Sequence, residues 1–480
     1  MRVVFSVIIG AAMVCLVWSR AEDETGLWNS KNHPRYQPYI AGYILPFFLT
    51  GLYLVGLIVL GRDSTNHLVL STCLSVFWRI SLYYAILLPL LPWLRRRISA
   101  STCAMLWIIP NYLYLLERDF LYPSAPLLVI TAPGKLALVL ISIWFAGFVV
   151  VLVWKIASHL RFRHLLLNNA ADCPIQVRQQ WKTALTNARF KNTDIPLLVS
   201  PYISTPLTVG LFRYATVVVL PRKAYTQEEL DLIFHHEIVH IGRLDAWNKF
   251  FSVFCTAMCW FNPLMWMAMA KSAQDLELSC DETVLLNADE DTRKRYASLL
   301  LNTAGDSRGF TTCLSASAQA LRHRLRSIVN PEDRSTGATV AGVAFCLLAL
   351  TGGFVAMAYD EVSFTEILAQ PASQSAYVLT VMDYDCAPTE EDLTLADTDG
   401  ILEYFSDLTV YRLTGQYSFT ASNRNALFRL HLPGVKTYWV YVYDNAIELY
   451  PLGEEPLRPI LYYIPDGIDW DHLDTLLPTA

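Results

Sequence analysis

Six apolar runs constrain this chain more than any other feature of its sequence. They lie at about 3–18, 38–60, 68–93, 101–117, 133–155 and 337–359. A helix that crosses a bilayer needs about 20 apolar residues. The second, third, fifth and sixth runs reach that length; the first and fourth are shorter, and Pro110 interrupts the fourth. Only 17% of the 480 residues are charged and 54% are hydrophobic, against roughly 25% and 45–50% in soluble domains. A disordered chain and a wholly soluble enzyme are both excluded. The first run begins with Arg2, but nothing resembling A-x-A follows before Glu22. It therefore reads as a retained helix and not as a cleaved signal peptide.

Charge orients the runs. Arg95, Arg96 and Arg97 close the third, Lys155, Arg161 and Arg163 follow the fifth, and Arg322, Arg324, Arg326 and Arg334 precede the sixth. One topology puts all three clusters inside and the 117–132 loop outside. The same topology puts the N-terminus outside, against Arg2, which three clusters outweigh. The net charge of −6 is uneven: from Asp360 onward there are 20 acidic and 5 basic residues, before it 23 acidic and 32 basic. A basic body and an acidic tail fit opposite sides of a membrane. The scattered positive charge gives no support to nucleic-acid binding. Cys386 is the one cysteine of the tail, so no disulfide framework is expected. A bacterial cell-membrane protein is the expectation.

These features divide the chain into transmembrane helices over 1–155, a cytoplasmic domain over 156–336, a transmembrane helix over 337–359 and an extracytoplasmic acidic domain over 360–480. In the last, Tyr377–Met382, Ala426–Leu432 and Thr437–Tyr443 are rich in β-branched and aromatic residues and read as strands. Thr398–Thr409 reads as a helix, making the module small and α+β.

The chemistry concentrates in Phe234-His235-His236-Glu237-Ile238-Val239-His240. Histidines four apart stack on one helical face and can reach a single Zn²⁺, and Glu237 beside the first can take a proton from the attacking water. Thr226 and Glu229 form a capping box that starts the helix. A catalytic zinc needs a third protein ligand. Asp275-Leu276-Glu277-Leu278-Ser279-Cys280-Asp281-Glu282 supplies it: Glu277 fits, with Asp281 and Asp275 as rivals. Asp281 and Asp245 are candidates to hydrogen-bond the histidines from behind. His235 reads as structural or solvent-facing, and Cys280 as a small buried hydrophobe.

The apolar stretch 250–270 has the length of a span, yet His240 precedes it and Glu277 follows it. A single crossing would part them by about 30 Å. Asn262-Pro263 near its middle breaks a helix, so a re-entrant or membrane-face hairpin is expected.

From about Leu152 to Tyr359 the chain resembles the BlaR/MecR-type antirepressor membrane metallopeptidases. The likeness rests on Ser204–Leu211, Val218–Pro221, His236–His240 with Arg243 and Asp245, Trp260–Leu264, and Glu277 with Cys280-Asp281. The upstream stretches Trp78–Arg97 and Trp107–Pro110 resemble that family's helical hairpin. The resemblance implies a polytopic α-helical membrane protein with a cytoplasmic α+β, gluzincin-like zinc metallopeptidase domain. It also implies self-cleavage and action on a cytoplasmic repressor pathway. One departure is clear: after Asp360 no serine has a lysine three residues on, and Lys436 is the sole lysine. β-Lactam binding is therefore not expected. Two extra segments over roughly 1–60 are a further departure.

The sequence thus points to an integral-membrane zinc endopeptidase. Zn²⁺ is its cofactor, held by His236, His240 and Glu277. Membrane lipid and a protein substrate are the expected partners, the resemblance implying a cytoplasmic transcriptional repressor as that substrate. Substrate would lie along an edge strand, with 215–220 the candidate. Arg293, Lys294 and Arg295, tethered near the zinc, are a candidate self-cleavage segment. The competing reading is a membrane receptor or scaffold with a non-catalytic zinc site, whose outer domain binds a ligand or partner.

Overall fold

The computed structural model describes residues 2–25, 45–59, 61–116, 126–132, 134–190, 192–286, 288–304, 318–331, 334–352, 354–364, 377–382, 394–413, 417, 424–431, 437–451 and 460–476. The helices α1 (Arg2–Thr25), α2 (Leu45–Val59) and α3 (Arg62–Arg97) come first. α4 (Ala100–Leu106), a 3₁₀ turn (Ile109–Tyr112) and α5 (Leu113–Leu116) follow. β1 (Leu128–Ala132) then leads into α6 (Gly134–Asn168). Three of these helices contain stretches long and apolar enough to cross a membrane: Val3–Glu22, Leu68–Arg97 and Val139–Asn168.

Two of the expected runs differ, and a third is described only in part. The 101–117 run is no continuous helix, because Pro110 sits in the 3₁₀ turn that separates α4 from α5. The 38–60 run is helical over Leu45–Val59, as expected; residues 38–44 and 60 lie outside the described residues. The 337–359 run is divided between α13 (Ala338–Leu350) and a strand that begins at Val355. Thirteen helical residues rise about 20 Å, short of the roughly 30 Å hydrocarbon core.

The central domain interleaves β2 (Ala171–Asp172), α7 (Ile175–Asn187), β3 (Leu197–Ser200), β4 (Leu207–Val209) and β5 (Val217–Pro221). The helices α8 (Gln227–Arg243), α9 (Asp245–Met258), α10 (Pro263–Val284), α11 (Glu290–Ala304) and α12 (Ala318–Val329) complete it. The small sheet has the order β2-β3-β5-β4. β5 is therefore interior, and the 215–220 segment expected at an edge is paired on both sides, parallel to β3 and antiparallel to β4. The open edge beside α8 belongs to β4. Leu166 near the end of α6 packs under this sheet with Ile203, Val209 and Val219.

α9 and α10 turn at Cys259–Asn262, where the Asn262 side chain accepts the Leu264 N–H and Pro263 opens α10. Phe251, Phe254, Cys255, Met258 and Met265 share one core with α3 and α4. The Trp144 indole donates to the Met258 carbonyl (2.7 Å), and the Asn262 amide to Ser81 Oγ (2.8 Å). The chain thus enters and leaves this hairpin at one end, which brings His240 and Glu277 together.

The C-terminal part contains β6 (Val355–Ser363), β7 (Tyr377–Met382), β8 (Thr394–Leu395), α14 (Thr398–Asp407) and β9 (Thr409–Leu413). β10 (Asn425–His431), β11 (Thr437–Tyr443), β12 (Ala446–Pro451), β13 (Ile460–Tyr463) and α15 (Trp470–Thr475) follow. Its strands form a nine-stranded sheet whose first member is β1, paired parallel to β6 from Leu128↔Val355 to Ala132↔Tyr359. One sheet face packs Val440, Val442, Phe428 and Ile447 against Ile401 and Phe405 of α14.

Candidate metal centre

α8 carries the two histidines on one face because its start is fixed. The Thr226 side chain accepts the Glu229 N–H while the Glu229 carboxylate accepts the Thr226 N–H. The helix ends at Leu244, whose left-handed backbone (φ 58°) redirects the chain so that Asp245 begins α9. Arg243, fully buried, donates to Ser279 and Thr283 and so clamps α8 to α10.

Three donor atoms converge on one point. His236 Nε2 and His240 Nε2 are 3.1 Å apart, and Glu277 Oε2 lies 3.6 Å from the first and 3.8 Å from the second. A tetrahedral zinc with bonds near 2.0–2.1 Å separates its ligand atoms by about 3.3 Å. The triangle fits that donor set. His236, His240 and Cys280 also form a cluster with one ligand atom each within 4.8 Å. Cys280 Sγ lies 3.3 Å from His236 Nδ1, while Glu277 Oε2 approaches both Nε2 atoms. Glu277 and Cys280 thus both stand close enough to the histidine pair to serve as a third donor. Cys280 is fully buried, but it touches His236 and is no mere apolar filler.

Both histidines are held from behind. His240 Nδ1 is 2.6 Å from Asp245 Oδ2, and Asn248 donates to the other oxygen of that carboxylate. His236 Nδ1 is 2.8 Å from the Tyr296 hydroxyl, which donates to Asp281 Oδ1 at 2.7 Å. Arg324 closes the set with two 2.7 Å hydrogen bonds to Asp281. Asp281 thus reaches His236 through a tyrosine, with its own oxygen 3.6 Å from Nδ1. Asp275, a rival for the third ligand, is turned away: Arg95 Nε and Trp107 Nε1 donate to it at 2.7 and 2.6 Å.

Glu237 is buried, and the Thr208 hydroxyl on β4 donates to its Oε2 at 2.6 Å. Burial opposes charge on His236, yet the Cys280 sulfur and Glu277 carboxylate push its pKa up to about 10. Burial, with His236 adjacent, lowers His235 to about 4. Glu277 is held well below the usual carboxylate range: burial works the other way, but Lys249, 3.4 Å from Oε1, and His240 outweigh it.

Arg293, Lys294 and Arg295 lie within α11. Arg293 donates to the carbonyls of Ala288 and Leu285, Lys294 pairs with Glu290, and Arg295 with Glu228. The next residue, Tyr296, faces the centre. Thr208, Tyr296 and Arg324 escape a sequence reading because each joins the site from a separate element, at no fixed spacing from the histidines.

Residues 77–328 match the family model described as BlaR1 peptidase M56. Regulatory protein BlaR1 of Bacillus licheniformis is 26% identical over 192 residues, 39% of this chain and 31% of that protein. Methicillin resistance mecR1 protein of Staphylococcus aureus is 23% identical over 173 residues, 35% of this chain and 28% of that protein. The same figures hold for its counterpart in Staphylococcus epidermidis. The alignments span less than a third of each relative's own length. With a family match over more than half of its residues, this chain belongs to the BlaR1 peptidase M56 family.

Proposed function

We propose that the protein is a multi-pass membrane zinc endopeptidase that acts in signalling, with its zinc domain cytoplasmic and its C-terminal domain extracytoplasmic. The observation that carries this reading is the convergence of His236, His240 and Glu277 beside a buried Glu237. When bound, zinc would polarise a scissile carbonyl and acidify water. His236, His240 and Glu277 would hold it. Glu237 accepts a proton from the attacking water and passes it to the departing amine, while Thr208 fixes the receiving carboxylate. An extended substrate would pair with the edge strand β4, next to Glu237.

By likeness to the family, the substrates are the protein itself and a cytoplasmic regulatory protein such as a repressor. A cut near Arg293–Arg295 would first require α11 to unwind, since a protease reads extended backbone. The deciding experiment is N-terminal mapping of fragments in native membranes from wild type and Glu237→Gln. Fragments that depend on Glu237, with zinc content unchanged, support the reading. Equal fragments in both assign the cuts to another protease.

A further inference from the structure

The strongest unused feature of the molecule is the ion-paired network behind the first histidine. Asp281 is almost fully buried, and Arg324 forks onto both of its oxygens at 2.7 Å. Such bidentate pairs fix geometry as well as charge. Asp281 Oδ1 also accepts the Tyr296 hydroxyl, whose oxygen is 2.8 Å from His236 Nδ1. Because Tyr296 gives its proton to Asp281, His236 must donate Nδ1–H to the tyrosine oxygen. That leaves the Nε2 lone pair facing His240 and Glu277. The third Arg324 nitrogen, Nη1, lies 3.6 Å from Glu277 Oε2.

We propose that Arg324 is a positioning residue of the metal centre: through Asp281 and Tyr296 it sets the tautomer and orientation of His236, and it steadies Glu277 directly. The inference rests on the zinc reading above. It means that α12, beyond every ligand in sequence, completes the site. Outer partners of metal-bound histidines typically contribute about 10–100-fold in metal affinity.

The test uses the full-length protein in detergent micelles, titrated with zinc and with Co²⁺, whose visible absorption reports ligand geometry. Tyr296→Phe removes the relay hydroxyl without burying a charge, and should weaken zinc about 10-fold and alter the Co²⁺ spectrum. Arg324→Gln and Asp281→Asn should each weaken it by about 10–100-fold, and the double variant by no more than the worse single, since both break one chain of contacts. Unchanged affinity and spectrum in Tyr296→Phe, or losses in the double variant that simply add, would overturn the proposal while leaving zinc binding intact. A wild type that binds no zinc would overturn both readings.

Discussion

Each side chain at the centre has a separable task, so substitutions should divide by readout. His236→Ala and His240→Ala should abolish stoichiometric zinc, measured by elemental analysis of the purified protein. Glu277→Ala should weaken binding, because Lys249 and Arg324 would then face the histidines with no carboxylate between them. Asp245→Ala leaves His240 Nδ1 without its 2.6 Å partner and should cost about 10–100-fold in affinity. Zinc uptake should also be pH-dependent. With its pKa raised to about 10, metal-free His236 is protonated at neutral pH, and zinc takes the neutral ring. Apparent affinity should therefore climb as pH rises towards about 10, and uptake at pH 7 should release protons. Calorimetry in buffers of different ionisation enthalpy measures that release. The same raised pKa stabilises the metal-free fold fully below about 6.5, and this contribution fades as pH rises through about 10.

Among the elements, the α9–α10 hairpin matters most, because it returns the chain to the side where the histidines wait. Its docking depends on Gly147 of α6: a Cβ there would lie 2.2 Å from the Trp260 ring. Gly147→Ala should destabilise the protein by about 1–3 kcal/mol through overpacking, read as a lowered melting temperature in micelles. Thr208→Val tests the contact between the edge strand and the helix. It removes one hydrogen bond to a carboxylate, worth about 1.5–3 kcal/mol. Cleavage should fall roughly 10-fold or more with zinc content unchanged.

Across the whole molecule, backbone pairing sorts the connecting segments to two ends. Ser99 N–H donates to the Ser335 carbonyl and Ser335 N–H to Arg97, so the basic end of α3 and the approach to α13 meet. β1 pairs with β6, so the segment before α6 and the C-terminal sheet share the other end. Under the proposed topology, in which the basic clusters lie inside, reporters fused after Lys155 or Arg334 should read cytoplasmic, and one fused after Tyr377 extracytoplasmic. A cytoplasmic reading after Tyr377 would reverse the assignment of the acidic domain.

What the sequence determined by itself was local or periodic. Helix spacing put His236, Glu237 and His240 on one turn, Asn262-Pro263 marked the hairpin's break, and β-branched and aromatic content marked Tyr377–Met382 and Thr437–Tyr443 as strands. Hydropathy found α1, α3 and α6, since an apolar helix is a property of consecutive residues. It overran at 355–359, because an apolar stretch is equally suited to a buried strand, and there β6 finds partners in β1 and β9. Only the tertiary structure decided that Glu277 and not Asp275 faces the histidines, since both lie on α10 and its rotation is set by packing on α3 and α4. It alone brought in Thr208, Tyr296 and Arg324, which are distant in sequence from the histidines they serve. Contacts between separate elements leave no period in a sequence; folding creates them.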